Sequence, residues 1–273
     1  MKRENIYFTG YRGMIGSKLE ELGCSRLYSN VTDAVDLDKE IKLTQPKIII
    51  HLAGKSNVDF CQKPENRKVV DENNFTGSLE VFELGRKWGI PVVFISSDHI
   101  FNGKWLGEYR EHDRPDPQNY YGMLKLAVEA AALEYDNVKV IRTSTLFKLS
   151  REFIREYIWK LSSGFRVDPP IFIWRSFMHL DHFSTSLLDY TCKFKDMPKV
   201  LNISGSRTVS WWKFIYDYAS QLGLDTSLIH QRFTDNGMKP SAPRPHRAGL
   251  DVGLSKSLGI PQYSYLDGIK LDV

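Results

Sequence analysis

A serine, a tyrosine and a lysine carry the chemistry that this sequence supports best. The apolar β-forming run Pro91-Val-Val-Phe-Ile95 ends in Ser96-Ser97-Asp98, so hydroxyls and a carboxylate stand at the carboxyl end of a buried strand. Ligands bind at such ends in open α/β sheets. Tyr121 and Lys125 lie four positions apart in the helical run from Tyr121 to Ala132, which puts phenol and ammonium on one helix face. A free phenol has a pKa near ~10, and an adjacent ammonium favours the phenolate and is expected to bring that value down. A serine hydroxyl can then hydrogen-bond a carbonyl oxygen while the tyrosine protonates it, which is general acid catalysis with a positioned polariser. Ser97, Tyr121 and Lys125 are the expected catalytic residues, and carbonyl reduction or its reverse the expected reaction. Alone, Tyr-x-x-x-Lys is a weak signal in a chain with 13 Tyr, so the surrounding elements decide.

Those elements alternate. Asn5 to Thr9 is a β run, followed by Gly10-Tyr-Arg-Gly13-Met-Ile-Gly16 and a helical stretch. A Gly-x-x-Gly-x-x-Gly turn between strand and helix lets the backbone approach a pyrophosphate at the helix's positive end. Gly10, Arg12, Gly13, Met14, Ile15 and Gly16 are therefore expected to bind a dinucleotide. The next strand, Arg26 to Asn30, ends without the acid that would meet a ribose 2′-hydroxyl. Arg12 is read either as a partner for a 2′-phosphate or as a solvated side chain, which makes NADP(H) the preferred cofactor and NAD(H) the alternative.

Asp36-Leu37 precede a helix expected over Asp38 to Leu43, and Pro46 to Gly54 reads as a continuous apolar strand of the kind buried on both faces of a parallel sheet. Its end should lie beside the cofactor. Asn74 opens a helix whose core stripe is Phe75, Leu79 and Phe82. Val138 to Thr143 is a further strand, and Phe153, Ile154, Tyr157, Ile158 and Leu161 mark a helix. The alternation up to about residue 145 predicts an α/β fold with a doubly wound parallel sheet. Beyond it, Pro169-Pro170 and Ile171 to Trp174 predict a loop and strand closing over the sheet edge. A helix follows with Trp211, Ile215, Tyr218 and Leu222 on one side, and Thr234 to Arg247 is rich in Pro and Arg.

Composition narrows the class. With 273 residues, 42% hydrophobic and 26% charged, the chain has the make-up of an ordinary globular protein. A net charge of +4 with interleaved signs predicts no nucleic-acid groove, though it suits an anionic small ligand. There is no 18-residue apolar run, and Met-Lys-Arg-Glu-Asn leads straight into a strand. Neither a transmembrane helix nor a signal peptide is expected, and the expected location is cytoplasmic. Cys24, Cys61 and Cys192 are widely spaced without Cys-x-x-Cys, which predicts reduced thiols and no metal site.

With glycine loop, Ser-Asp strand end and Tyr-x-x-x-Lys in this order, the chain resembles the extended short-chain dehydrogenase/reductases that act on nucleotide sugars. The resemblance runs over nearly the whole length. Thr9 to Gly16 is similar to that family's cofactor loop, Asp36-Leu37 to its adenine contact, His51-Leu52-Ala53-Gly54 to the segment beside the cofactor, and Asn74-Phe-Thr-Gly77 to the start of its central helix. The glycine loop resembles that of GDP-fucose synthase, where the arginine accompanies NADPH. SSDHIFNG, the loop with Glu111, Pro115 and Pro117, and RPHRAGLD resemble the dTDP-4-dehydrorhamnose reductases. Thr145 stands where those reductases have a tryptophan, and the segment around 165–180 follows the general epimerase pattern.

The resemblance implies a Rossmann-type domain over 1–150, with 176–205 returning to it, and a small substrate-binding lobe from 151–175 and 206–273. It implies a 4-keto nucleoside-diphosphate sugar as substrate, Asp98 and His99 as sugar contacts, Arg175 and Arg244 beside the diphosphate, and a homodimer. Sugar-nucleotide 4,6-dehydratases carry a glutamate where this chain has His99, so elimination of water is not expected. The implied alternatives are a nucleotide-sugar epimerase with tightly bound NAD and a non-catalytic NADP-binding partner like the regulatory subunit of methionine adenosyltransferase.

Overall fold

In the computed structural model, which describes residues 1–234 and 242–273, the described residues form ten short strands. They are β1 (Ile6–Phe8), β2 (Ser25–Arg26), β3 (Ile48–His51), β4 (Val92–Ser97), β5 (Val138–Thr143), β6 (Leu146–Phe147), β7 (Trp174–Arg175), β8 (Met178–His179), β9 (Val200–Asn202) and β10 (Val209–Ser210). Of these, β1, β3, β4 and β5 are built on β-branched and aromatic runs. Of the Pro- and Arg-rich stretch, residues 235–241 lie outside the described residues.

Six strands make one sheet in the order β2-β1-β3-β4-β5-β9, every pair parallel. Strand order reverses beside β1, since the chain moves to one side of it for β2 and to the other for β3, and such a switch point opens a crevice at the carboxyl ends. The alternation of side chains along a strand serves two cores. Ile48, Ile50 and Val93 face a core with Phe8, Leu19, Phe183 and Leu187. Ile49, Val92 and Phe94 face another with Leu37, Ile41, Phe82 and Val128. This is why β3 and β4 read as continuous apolar runs.

Three elements differ from expectation, each for a local reason. The second strand has two residues instead of five, because the Tyr28 and Ser29 amides donate to the Glu40 carboxylate, both at 2.8 Å, and leave the ladder. The next helix spans Ala34–Thr44 and is capped by Asp33, whose carboxylate accepts from Asp36 N at 3.1 Å, so Asp36 and Leu37 sit inside its first turns. The Asn74 segment is a π-turn, Glu72–Thr76, between helices Arg67–Asp71 and Gly77–Trp88, and such turns are frequent at functional sites.

The second half of the chain divides its side chains. Helix Leu180–Cys192 and β9 extend the sheet layer. A separate core gathers Phe147, Ile154, Leu161, Phe214, Ile215 and Tyr218. β7 pairs antiparallel with β10 in this second layer, while β9 forms the sheet edge, so the strand expected to close over that edge lies elsewhere. Leu258, Ile260 and Tyr263 pack back on the sheet core. Among the described residues no helix is long and apolar enough to cross a membrane.

Candidate active site

The carboxyl ends of β1, β3, β4 and β5 open into one crevice of about 1740 Å³, walled on the far side by the second layer. At its floor the glycine loop presses against the end of β3. Gly10 has φ 75°, and a Cβ there would stand 2.7 Å from Ala53 N; a Cβ on Gly16 would stand 2.6 Å from Gly10 O. Gly13 precedes helix Met14–Glu21 without a side-chain cap, which leaves the first helical N–H groups available to an anion. A cradle that only glycine fits, with backbone donors facing it, suits a dinucleotide pyrophosphate.

A buried hydrogen-bond chain holds this floor. Thr9 Oγ1 accepts from Leu52 N and Ala53 N, each at 3.1 Å, and donates to His51 Nδ1 at 2.8 Å. His51 Nε2 donates to Ser78 Oγ at 2.9 Å, which donates in turn to Asn74 O at 2.7 Å. Asn74 closes the chain by accepting from Lys55 N at 2.6 Å and donating to Lys55 O at 2.9 Å. The sequence placed Thr9 and His51 in the two cofactor segments but did not reveal the link between their side chains, for which a polar pair at two adjacent strand ends was the available signal.

Gly10, Arg12, Gly13, Met14, Ile15, Gly16, Leu52, Ala53, Gly54 and Asn74 all line the crevice. Asp36 and Leu37 do not, which corrects the expected adenine contact. Leu37 is fully buried in the core, and Asp36 pairs with Lys39 at 2.9 Å on the surface. Asn30 and Val31, just past β2, line the crevice instead.

Helix Tyr120–Leu133 carries the phenol and the ammonium. Asn119 caps it by accepting from Gly122 N at 2.9 Å, and Gly122 lets it approach the turn Asp98–Ile100 after β4, since a Cβ there would lie 2.1 Å from His99 O. Tyr121, Lys125 and Ser97 meet in the crevice. Lys125 Nζ donates to Ile95 O at 2.7 Å, lies 4.5 Å from the Phe94 ring centre and 5.9 Å from that of Tyr121. Burial lowers its pKa to about 8 against the pull of Glu129. Burial raises the Tyr121 pKa, opposed by hydrogen bonding to Ser97. The expected lowering of the phenol by Lys125 is thus corrected: the ammonium gives one of its three hydrogens to a strand carbonyl and lies against an aromatic face, and desolvation dominates the phenol.

Ser97 stands opposite Thr143 in the β4–β5 register and donates to Asp98 Oδ1 at 3.1 Å. Asp98 Oδ2 accepts from Ser144 Oγ at 2.6 Å and faces Arg175 Nε at 3.5 Å. His99 packs edge-on against Tyr121, and its Nδ1 accepts from Asn119 Nδ2 at 3.0 Å, which puts the hydrogen of the neutral ring on Nε2. Arg244 lines the crevice but forks onto Asp59, at 3.1 and 2.8 Å.

Burial holds both rings neutral, bringing His51 to about 3 and His99 to about 4 from 6.5. Below 6.5 the unfolded chain binds protons that the folded chain refuses until those lower values, so stability falls as pH drops through that window. Thermal melts from about pH 7 to about pH 5 should show a falling Tm, with a shallower fall in His99→Gln. A flat wild-type Tm would contradict the neutral rings.

The family model described as RmlD substrate binding domain matches residues 4–271. The spore coat polysaccharide biosynthesis protein SpsK of Bacillus subtilis is 25% identical over 266 residues, 91% of this chain and 92% of that protein. Methionine adenosyltransferase 2 subunit beta of Xenopus tropicalis is 25% identical over 245 residues, 86% of this chain and 72% of that one. The crystal structure of dTDP-4-dehydrorhamnose reductase from Bacillus anthracis in complex with NADP superposes with a TM-score of 0.87 at 21% identity, covering 97% of both chains.

Proposed function

The chain belongs to the RmlD substrate binding domain family, and we propose that it is an NADPH-dependent reductase of a 4-keto nucleoside-diphosphate sugar. The observation that carries this reading is the meeting of Ser97, Tyr121 and Lys125 in the same crevice as the glycine cradle. The bound nicotinamide supplies the hydride. Tyr121 delivers the proton to the ketone oxygen, Ser97 donates a hydrogen bond that orients that oxygen, and Lys125 holds the nicotinamide ribose. A buried phenol with a raised pKa rests in its acid form, the form that reduction needs.

Gly10 to Gly16 hold the pyrophosphate, Leu52, Ala53, Gly54 and Asn74 shape the cofactor floor, and Arg12 meets a 2′-phosphate. Asp98 and His99 border the sugar, and Arg244 turns from Asp59 to the diphosphate. The second layer, 151–175 and much of 206–273, covers the nucleotide end. The pairing of helices near Asn74 and Tyr121 makes a homodimer in this reading.

Thermal shift with NADPH and NADH, then turnover with dTDP-, UDP- and GDP-4-keto sugars, tests cofactor, reaction and nucleotide together. NADPH should bind at least about tenfold tighter than NADH, and Arg12→Ala should erase most of that difference, the loss of one charge-assisted phosphate contact. Equal affinities would remove Arg12 from cofactor choice. Tight NAD that turns over without consuming NADPH would point to an epimerase. A second reading follows from the likeness to methionine adenosyltransferase 2 subunit beta: a nucleotide-binding partner protein, for which no sugar would be reduced and a larger enzyme would co-purify.

A further inference from the structure

Arg175 is expected beside the diphosphate, yet its surroundings give it another task. Its side chain is 4% exposed, and its Nη1 donates to Trp174 O at 2.7 Å and His246 O at 3.3 Å. Nε is left for Asp98, whose side chain is 3% exposed. The groups on this carboxylate divide unevenly: Oδ2 accepts from Ser144 at 2.6 Å and lies 3.5 Å from Arg175 Nε in an ion pair, while Oδ1 accepts from Ser97 at 3.1 Å, a longer hydrogen bond than that of Ser144. Ser97 has one hydrogen. The carboxylate, the Tyr121 oxygen and a ketone all compete for it, and it can serve the ketone only when the carboxylate lets it go.

We propose that Arg175 is a positioning residue, which with Ser144 draws the charge of Asp98 onto Oδ2 so that the Ser97 hydrogen can turn from Oδ1 to the substrate carbonyl. The inference rests on the reductase reading and deepens it. No covalent bond changes in this step: one hydrogen bond of Ser97 is exchanged for another. The groups facing Asp98 are Ser97 and His99 from its own turn, Tyr121 from the helix, Ser144 from beyond β5, and Arg175 from β7, with Arg244 farther out. His99 is neutral, so among the described residues Arg175 is the cation within salt-bridge distance of Asp98.

The test compares Arg175→Met and Arg175→Lys with wild type in the full chain. In Arg175→Met, kcat should fall about 10- to 100-fold, the loss of one charge-assisted contact acting on the reacting centre. KM should change by less than about threefold, and calorimetric affinity for dTDP and UDP by less than about twofold, because the nucleotide loses no partner. Arg175→Lys should recover part of kcat. The opposite split, with kcat retained and nucleotide affinity about tenfold weaker, would make Arg175 a phosphate ligand and overturn the proposal.

A buried carboxylate stripped of its cation can unfold the chain, so Asp98→Asn/Arg175→Met is added. Its loss in kcat should match that of Asp98→Asn alone, and additive losses would overturn the proposal. Should the wild type reduce no sugar, the reductase reading fails and two arms still decide. Unchanged dTDP and UDP affinity with non-additive melting losses keeps Arg175 as the partner of Asp98; weakened affinity or additive melting losses removes it.

Discussion

Tyr121→Phe should abolish turnover while leaving the cofactor bound. The ring itself is held by packing: it lies against Cys61, Val70 and Leu124, with His99 edge-on at 5.7 Å between centroids. Phenylalanine fills the same volume, so the crevice keeps its shape and NADPH affinity should stay within about twofold, as for a volume-conserving change. What disappears is the proton. General acid catalysis contributes about 10²- to 10⁴-fold, and kcat should drop by that factor. Ser97 cannot take over, because an aliphatic hydroxyl is a far weaker acid than a phenol and serves only to orient the ketone oxygen. Steady-state NADPH oxidation and a fluorescence titration read the two quantities separately. Undiminished turnover in the variant would reject Tyr121 as the acid.

Lys125→Met should damage both binding and rate. The substitution keeps an unbranched stem beside Phe94 and removes the ammonium that donates to Ile95 O. A charge-assisted hydrogen bond is worth about 1.5–3 kcal/mol, so NADPH affinity and kcat should each fall roughly 10- to 100-fold. The pH profile adds a sharper criterion. Burial brings the ammonium to about 8; it is charged below that value and loses its charge as pH rises through it. Wild-type kcat/KM should therefore decline above about pH 8, and the slower variant should show no such limb. Unchanged affinity would remove the ribose role, and an alkaline limb surviving in the variant would assign it to another group.

Much of the scaffold was legible in the sequence because the responsible constraints are short in range. Ile48 to Ile50 and Val92 to Phe94 read as buried strands since both faces of a parallel sheet must be apolar. Gly10 and Gly16 read as a cradle because close backbone approach excludes a Cβ. The four-residue step from Tyr121 to Lys125 was enough to bring both to one helix face, and both reach the crevice. Asp36-Leu37 was misplaced by a local error of the same kind: the helix begins at Ala34, directly after Asp33, whose carboxylate caps it.

The partners of the charged groups were not legible. Lys125 points to a carbonyl at the end of β4, Arg175 to Asp98, and Arg244 to Asp59, 185 positions away. Each is a choice among many donors and acceptors that no periodicity encodes. The sequence by itself determined the sheet, the cradle and the candidate trio Ser97, Tyr121 and Lys125 that shares the crevice, since steric and solvation rules act over a few neighbouring residues. Only the tertiary structure decided which of them are charged and what each one touches, because burial and the approach of distant segments set both the cost of ionisation and the available hydrogen-bond partners.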